Sequence, residues 1–115
     1  MKNGDGDGLL KTFSDSAILQ TISSTKTGQT IIRSENVKEF AGFVSTQTKG
    51  DADEQITFET IKVDGSLAIV WTPYNFYYKK QFSHCGVNSF HLVRFGGEWR
   101  IHFLIDTRRK TPCQL

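Results

Sequence analysis

His84 sits between Ser83 and Cys85, with Asn75 and Tyr77 upstream and Asn88 four residues downstream. An imidazole changes charge near neutral pH, so His84 could take or give a proton, oriented by Asn75 or Asn88, with Tyr77 as a hydrogen-bond donor. The same side chain serves equally well as a hydrogen-bonded structural or ligand-orienting group, and both readings stand at this point. His91 and His102 could hold a metal only with a third and a fourth ligand, and none is apparent, so two polar residues at a wet interface are the simpler account. Cys85 and Cys113 match no metal-ligand spacing and no C-x-x-C motif. They are expected to be free thiols, with Cys85 a small buried hydrophobe. A Cys85–His84 nucleophile–base pair is disfavoured because neighbours in a strand point to opposite faces. Trp71, Phe58 and Phe103 read as core residues that could also line the mouth of a pocket. No cofactor is expected.

These residues must be positioned by strands. Glycine-bearing dipeptides, Asp64-Gly65 and Gly96-Gly97, separate alternating apolar runs, and both accept the positive φ of tight hairpin turns. Lys79-Lys80 stands where a third such turn belongs. The result from Glu54 onward is a meander of four long antiparallel strands. A two-residue loop at Gly96-Gly97 pairs residues whose numbers sum to 193, which sets Leu92 against Ile101, Phe90 against Phe103, His91 against His102 and Asp106 against Val87. A loop at Lys79-Lys80 gives a sum of 159, with Ile69 against Phe90, Trp71 against Asn88 and Asn75 against His84. Together these registers place Trp71, Asn75, Tyr77, His84, Asn88 and Phe103 on one apolar face, and Pro73 marks a position where a bulge could exchange the faces of Tyr74 to Tyr78. The opposite face mixes apolar and polar groups and suits a subunit interface. The first half is mixed: a short helix over 7–13 capped by Asp7, a strand over 16–24, an apolar piece over 30–33, a helix from Ser34 to about Thr46 with Val37, Phe40, Ala41 and Val44 on one side, and a loop over 48–54.

The 115 residues make one domain, 1–115. Leu, Ile, Val and Phe number 7, 9, 6 and 9, or 31 residues, about 27% of the chain and above the ~20% at which disorder becomes the better expectation. No apolar run approaches the ~18 residues of a membrane-spanning helix, and no signal peptide opens the chain, so a cytoplasmic location without a membrane partner is expected. Net charge is +2. Residues 61–115 hold 8 basic and 3 acidic side chains, concentrated at Lys79-Lys80 and Arg108-Arg109-Lys110, which reads as the solvated ends of a sheet and not as a nucleic-acid footprint.

The stretch from Asp64 to Cys113 carries further marks. Trp71, Pro73, Tyr74, Phe76 and Tyr77 form W-x-P-Y-x-F-Y; Phe82 to Val87 and Phe90 form F-S-H-C-G-V-x-x-F; Gly96, Gly97 and Trp99 to Ile101 precede Thr107 to Arg109. With the opening Met1, Gly4, Asp5, Leu9, Phe13 and Ala17, this resembles the lumazine-binding-like, SnoaL-like group of the nuclear transport factor 2-like superfamily, which includes cyclases and ketosteroid isomerases. The resemblance implies an α+β, cystatin-like fold: a cone-shaped half-barrel in which a bent antiparallel sheet wraps helices around a pocket. The usual first helix is largely missing from the N-terminus. Homodimers joined through the sheet are common among such proteins. A small apolar or aromatic molecule is the ligand to expect, bound by Trp71, Asn75, Tyr77, His84, Asn88, Phe58 and Phe103. Two alternatives accompany it: an acid/base enzyme (cyclase, isomerase or dehydratase) using His84, and a dimerising interaction module with a vestigial pocket. Isomerase chemistry needs an aspartate in the pocket. The expected face carries no carboxylate, because Asp106 falls on the other side.

Overall fold

A computed structural model describes residues 12–40 and 52–113. Seven strands form one sheet: β1 (Phe13–Ser24), β2 (Thr30–Glu35), β3 (Ala52–Ile56), β4 (Thr60–Asp64), β5 (Leu67–Tyr78), β6 (Gln81–Phe95) and β7 (Glu98–Thr107). Their order is β2-β1-β7-β6-β5-β3, with β4 also on β5. The sheet is curved and open, not a closed barrel. It is also not wholly antiparallel as expected, since β1 runs parallel to β7, with Leu19 beside Leu104 and Thr21 beside Asp106.

The first of the four strands expected from Glu54 onward is two strands. β3 and β4 both pair with the same edge of β5, and the break at Thr57 to Glu59 is bridged by amides bonded to Pro73 O and Trp71 O. β3 begins at Ala52, inside the stretch expected to be a loop. Residues 37–40 are helical, and Asn36, not Ser34, caps them: its Oδ1 accepts from the Glu39 amide at 2.8 Å while its Nδ2 donates to Glu39 Oε1. Ser34 and Glu35 instead complete β2. Residues 7–11 of the helix expected over 7–13, the expected helix beyond Phe40 and residues 48–51 of the expected loop lie outside the described residues; Phe13, expected to end the first helix, opens β1.

All three hairpins turn near the expected places. Gly96 and Gly97 carry φ of 54° and 91°, and Lys79 and Lys80 adopt 49° and 66° without glycine's freedom. The first turn is shifted by one residue, since Asp64 pairs with Leu67 and the loop is Gly65-Ser66.

The registers hold only beside the turns. The sum of 159 describes Tyr78–Gln81 and Tyr77–Phe82; from Phe76–His84 inward it is 160, because Ser83 is an extra residue. The sum of 193 holds from Phe95–Glu98 to Leu92–Ile101; His102 is then extra and the sum becomes 194. Each bulge turns the partner strand over relative to β6. Thus Asn75 faces Cys85, Trp71 faces Ser89, Phe103 faces His91, and Asp106 faces Asn88. The predicted pairs Asn75–His84, Trp71–Asn88, Ile69–Phe90, Phe90–Phe103, His91–His102 and Val87–Asp106 do not form.

The core is small and lies on the concave side at the middle of β5, β6 and β1, with Phe13, Leu19, Ala68, Thr72, Tyr74 and Asn88 buried. Across the sheet, Leu67, Ile69 and Trp71 stand exposed on the convex face. Cys85 is fully buried, as expected, but it is not free: it is disulfide-bonded to Cys113, 28 residues on. The sequence reading missed the bond because the chain after Thr107 continues along β6, with Cys85 and Arg109 exchanging both backbone hydrogen bonds at 2.8 Å, and this brings Cys113 back over the strand.

Candidate functional site

The concave face encloses a cavity of about 460 Å³. Leu19 from β1, Tyr74 and Phe76 from β5, Phe90 from β6, and Ile101 and Leu104 from β7 form its apolar wall, and Phe40 from the helical turn covers it. The alternation of β5 brings Tyr74, Phe76 and Tyr78 inward together, and the alternation of β6 brings His84, Asn88 and Phe90. The bulge at His102 turns Leu104 and Asp106 inward, and Arg108 follows them.

Three carboxyls line this cavity: Glu35, Glu54 and Asp106. This corrects the expectation of a pocket without acids. Glu54 reaches it from β3 opposite Phe76 and is hydrogen-bonded to the Asn88 side chain. Burial holds the Glu54 carboxyl above its ordinary range, and the negative Asp106 adds to this. Asp106 is also raised, chiefly by burial, although a hydrogen bond from Thr21 and the nearby Arg108 guanidinium (Nε 3.7 Å from Oδ2) pull the other way. Its Oδ1 is buried with no hydrogen-bond partner among the described residues. Glu35 is raised by burial and by Glu39. Tyr74 donates its hydroxyl to Thr107 O at 2.7 Å, and burial together with Asp106 keeps the phenol from ionising.

His84 stacks on Phe76 at 5.0 Å and meets Tyr74 edge-on at 5.7 Å. Its Nδ1 lies 3.0 Å from Ser83 Oγ. Burial, then Arg108 and Lys110, lower its pKa to about 4, so the ring is neutral at pH 7. A neutral imidazole and at least one protonatable carboxyl beside an apolar wall can accept hydrogen bonds from a ligand or exchange a proton with it.

Of the seven residues predicted to bind a ligand, the cavity unites His84 and Asn88. Trp71, Asn75, Tyr77 and Phe103 belong to the opposite face, because the Ser83 and His102 bulges turn β5 and β7 over relative to the predicted registers. Phe103 there meets the His91 ring at 5.7 Å. Phe58 lies in the β3–β4 break and is 62% exposed. His102 bonds Ser14 Oγ at 2.9 Å, so the two histidines do not meet, and among the described residues no group of three metal-ligating side chains gathers. The residues that sequence reasoning missed are Tyr74, Glu54 and Asp106. Tyr74 and Asp106 were assigned to the wrong face by one-residue slips, and Glu54 was assigned to a loop.

No family model matches the chain, and no curated protein does. Solved structures do. A nuclear transport factor 2-like protein of unknown function from Shewanella baltica superposes with a TM-score of 0.68 at 12% identity, over 96% of this chain and 82% of that one. A domain of unknown function with a cystatin-like fold from Nostoc punctiforme gives 0.67 at 21% identity, over 94% and 67%. A nuclear transport factor 2-like protein of unknown function from Silicibacter pomeroyi gives 0.64 at 15% identity, over 94% and 82%. The chain therefore has the nuclear transport factor 2-like, cystatin-like fold that its sequence resembles.

Proposed function

We propose that the concave cavity binds a small, largely apolar or aromatic molecule with a hydrogen-bond-donating end. The observation that carries this is the juxtaposition in one enclosure of an aromatic and aliphatic wall with the acceptors Glu54, Asp106 and neutral His84. A volume of about 460 Å³ falls within the usual range for small-ligand sites. The apolar rings supply affinity and the acceptors fix orientation. Carboxyls that are already costly to ionise would be made costlier by a bound anion, so neutral or cationic molecules suit the cavity better than acids.

Titration with the neutral probe N-phenyl-1-naphthylamine tests this. Saturable fluorescence enhancement at one site per chain is expected, with displacement by phenols and aromatic amines in preference to aromatic carboxylates. Leu104→Trp, which fills the cavity, should abolish the signal, and His84→Ala should weaken it. Absence of saturable binding by the folded wild-type protein overturns the proposal.

One observation favours a second reading, acid/base catalysis of the cyclase, isomerase or dehydratase kind. The unpartnered Oδ1 of Asp106 and the raised carboxyl of Glu54 face the same cavity as His84. A carboxylate made more basic by an apolar site is suited to removing a proton next to a carbonyl. Cyclohexanone in deuterated buffer should then exchange its α-protons faster with the protein than without it, and Asp106→Asn should remove the acceleration. Equal rates for wild type and Asp106→Asn exclude Asp106 as that base.

A further inference from the structure

We propose that the Cys85–Cys113 disulfide is a redox-modification site whose reduction by a dithiol frees the segment 108–113 from β6, withdrawing Arg108 from the cavity and Lys110 from the neighbourhood of His84. The consequence for ligands rests on the cavity being a binding site; the release itself does not.

The segment's attachments divide at Thr107. Up to that residue the chain is fastened without the disulfide: Thr107 O accepts from Tyr74, and Thr107 Oγ1 accepts from the Val87 amide. Beyond it, Arg108, Lys110, Thr111 and Pro112 are exposed and bury little that would hold them. Among the described residues, what remains is the Cys85–Arg109 backbone pair, the Lys110 ammonium donating to Ser83 O, the Arg108–Asp106 ion pair, the long Arg109 Nη1 bond to Thr107 Oγ1, and the disulfide. The Arg109 Nε bond to Pro112 O is internal to the segment and does not attach it to the sheet. A short, solvent-exposed backbone ladder at a chain end opens readily. The covalent bond is what keeps it closed.

The segment also carries charge to the site. Arg108 lines the cavity and faces Asp106, and Arg108 and Lys110 both bear on His84. Releasing them leaves three carboxyls with no cation of the segment beside them.

The chemistry balances as a thiol–disulfide exchange. Cys85 is fully buried, whereas Cys113 is half-buried, so the incoming thiolate reaches the Cys113 sulfur. The S–S bond breaks as the mixed disulfide forms on Cys113, and Cys85 leaves as a thiolate. The reductant's second thiol then displaces Cys113, the reductant becomes a disulfide, and both cysteines take up protons.

Millimolar dithiothreitol added to the folded protein is the test, with intact mass, limited trypsin digestion and histidine NMR as readouts. Expected are a mass gain of two hydrogens with the sheet retained by circular dichroism, cleavage after Arg108, Arg109 and Lys110 at least tenfold faster, and a His84 titration moved upward from its acidic position. Cys113→Ala should reproduce both effects without reductant. If that variant fails to fold, reduction of the wild-type protein alone decides. A bond that resists reduction in the folded protein overturns the proposal. So does a reduced protein with unchanged cleavage and unchanged His84 titration. Naphthylamine binding, measured in both redox states, reports separately on the cavity: failure to bind in either state removes the ligand reading and leaves the release decided by the other readouts.

Discussion

At the scale of single residues, the cavity holds ionisable groups whose pKa values shift in opposite directions, and stability should reveal them separately. Glu54 and Asp106 have folded-state values above the ordinary carboxylate range. The folded chain keeps their protons where the unfolded chain has released them. Their contribution is therefore present in acid and is lost as pH rises through the raised values. His84 has a folded value of about 4 against 6.5. Between these the unfolded chain binds the extra proton, so stability rises with pH across that window. His84→Asn should flatten that rise by roughly 1 kcal/mol, after allowing for solvent at a half-buried ring. Glu54→Gln should flatten the fall that begins above the ordinary carboxylate range. Urea midpoints from pH 4 to 8 check both; a His84→Asn profile parallel to wild type would show that the ring is not held neutral.

At the scale of elements, what was legible was the strands, and what was not was their faces. Alternation and the turn dipeptides located β5, β6 and β7 and all three hairpins to within a residue. The bulges at Ser83 and His102 leave no compositional mark, because one additional residue in a strand looks like any other. β5 is apolar on both faces, with Ala68, Val70, Tyr74 and Phe76 on one and Leu67, Ile69 and Trp71 on the other, so hydrophobicity could not correct the slip. His84 and Asn88 were placed correctly because β6 is the strand against which both slips are measured. Glycine was a better guide than it was taken to be. A Cβ on Gly86 would lie 2.1 Å from the Thr107 carbonyl oxygen, so β7 and the chain beyond it approach β6 only because residue 86 has no side chain. Gly86→Ala should cost about 2–3 kcal/mol through backbone that cannot yield, readable in chemical denaturation. A cost below about 0.5 kcal/mol, the size of an ordinary surface substitution, would mean that the contact relaxes freely.

At the scale of the whole molecule, the sheet lines a cavity over a modest core on one face and leaves an apolar row exposed on the other. Leu67 is 47% and Trp71 43% exposed on the convex side, flanked by Ile69. This exposed apolar row lies between Lys62 and Asp64 of β4 and Ser89 and His91 of β6, and we propose that a second copy of the chain covers it, as the sequence resemblance implies. Sedimentation should then show a dimer that Trp71→Lys converts to a monomer, with the cavity probe still bound. A monomeric wild type removes the proposal.

The parallel seam between β1 and β7 has a consequence for how the molecule assembles in time. Ser14 and His102 hydrogen-bond close to that seam although 88 residues separate them in sequence. The hairpins β4–β5, β5–β6 and β6–β7 close through two-residue loops and can zip locally, within about 1–10 μs each by the general rates of such turns. The seam must instead wait for one of the longest loop closures in the chain, whose entropy is lost before any contact repays it. The hairpin sheet is thus the early scaffold and the β1–β2 leaf the late addition. One side of the cavity wall, Phe13, Leu19, Gln20, Thr21 and Glu35, arrives with that last step, so the cavity is completed only when folding is.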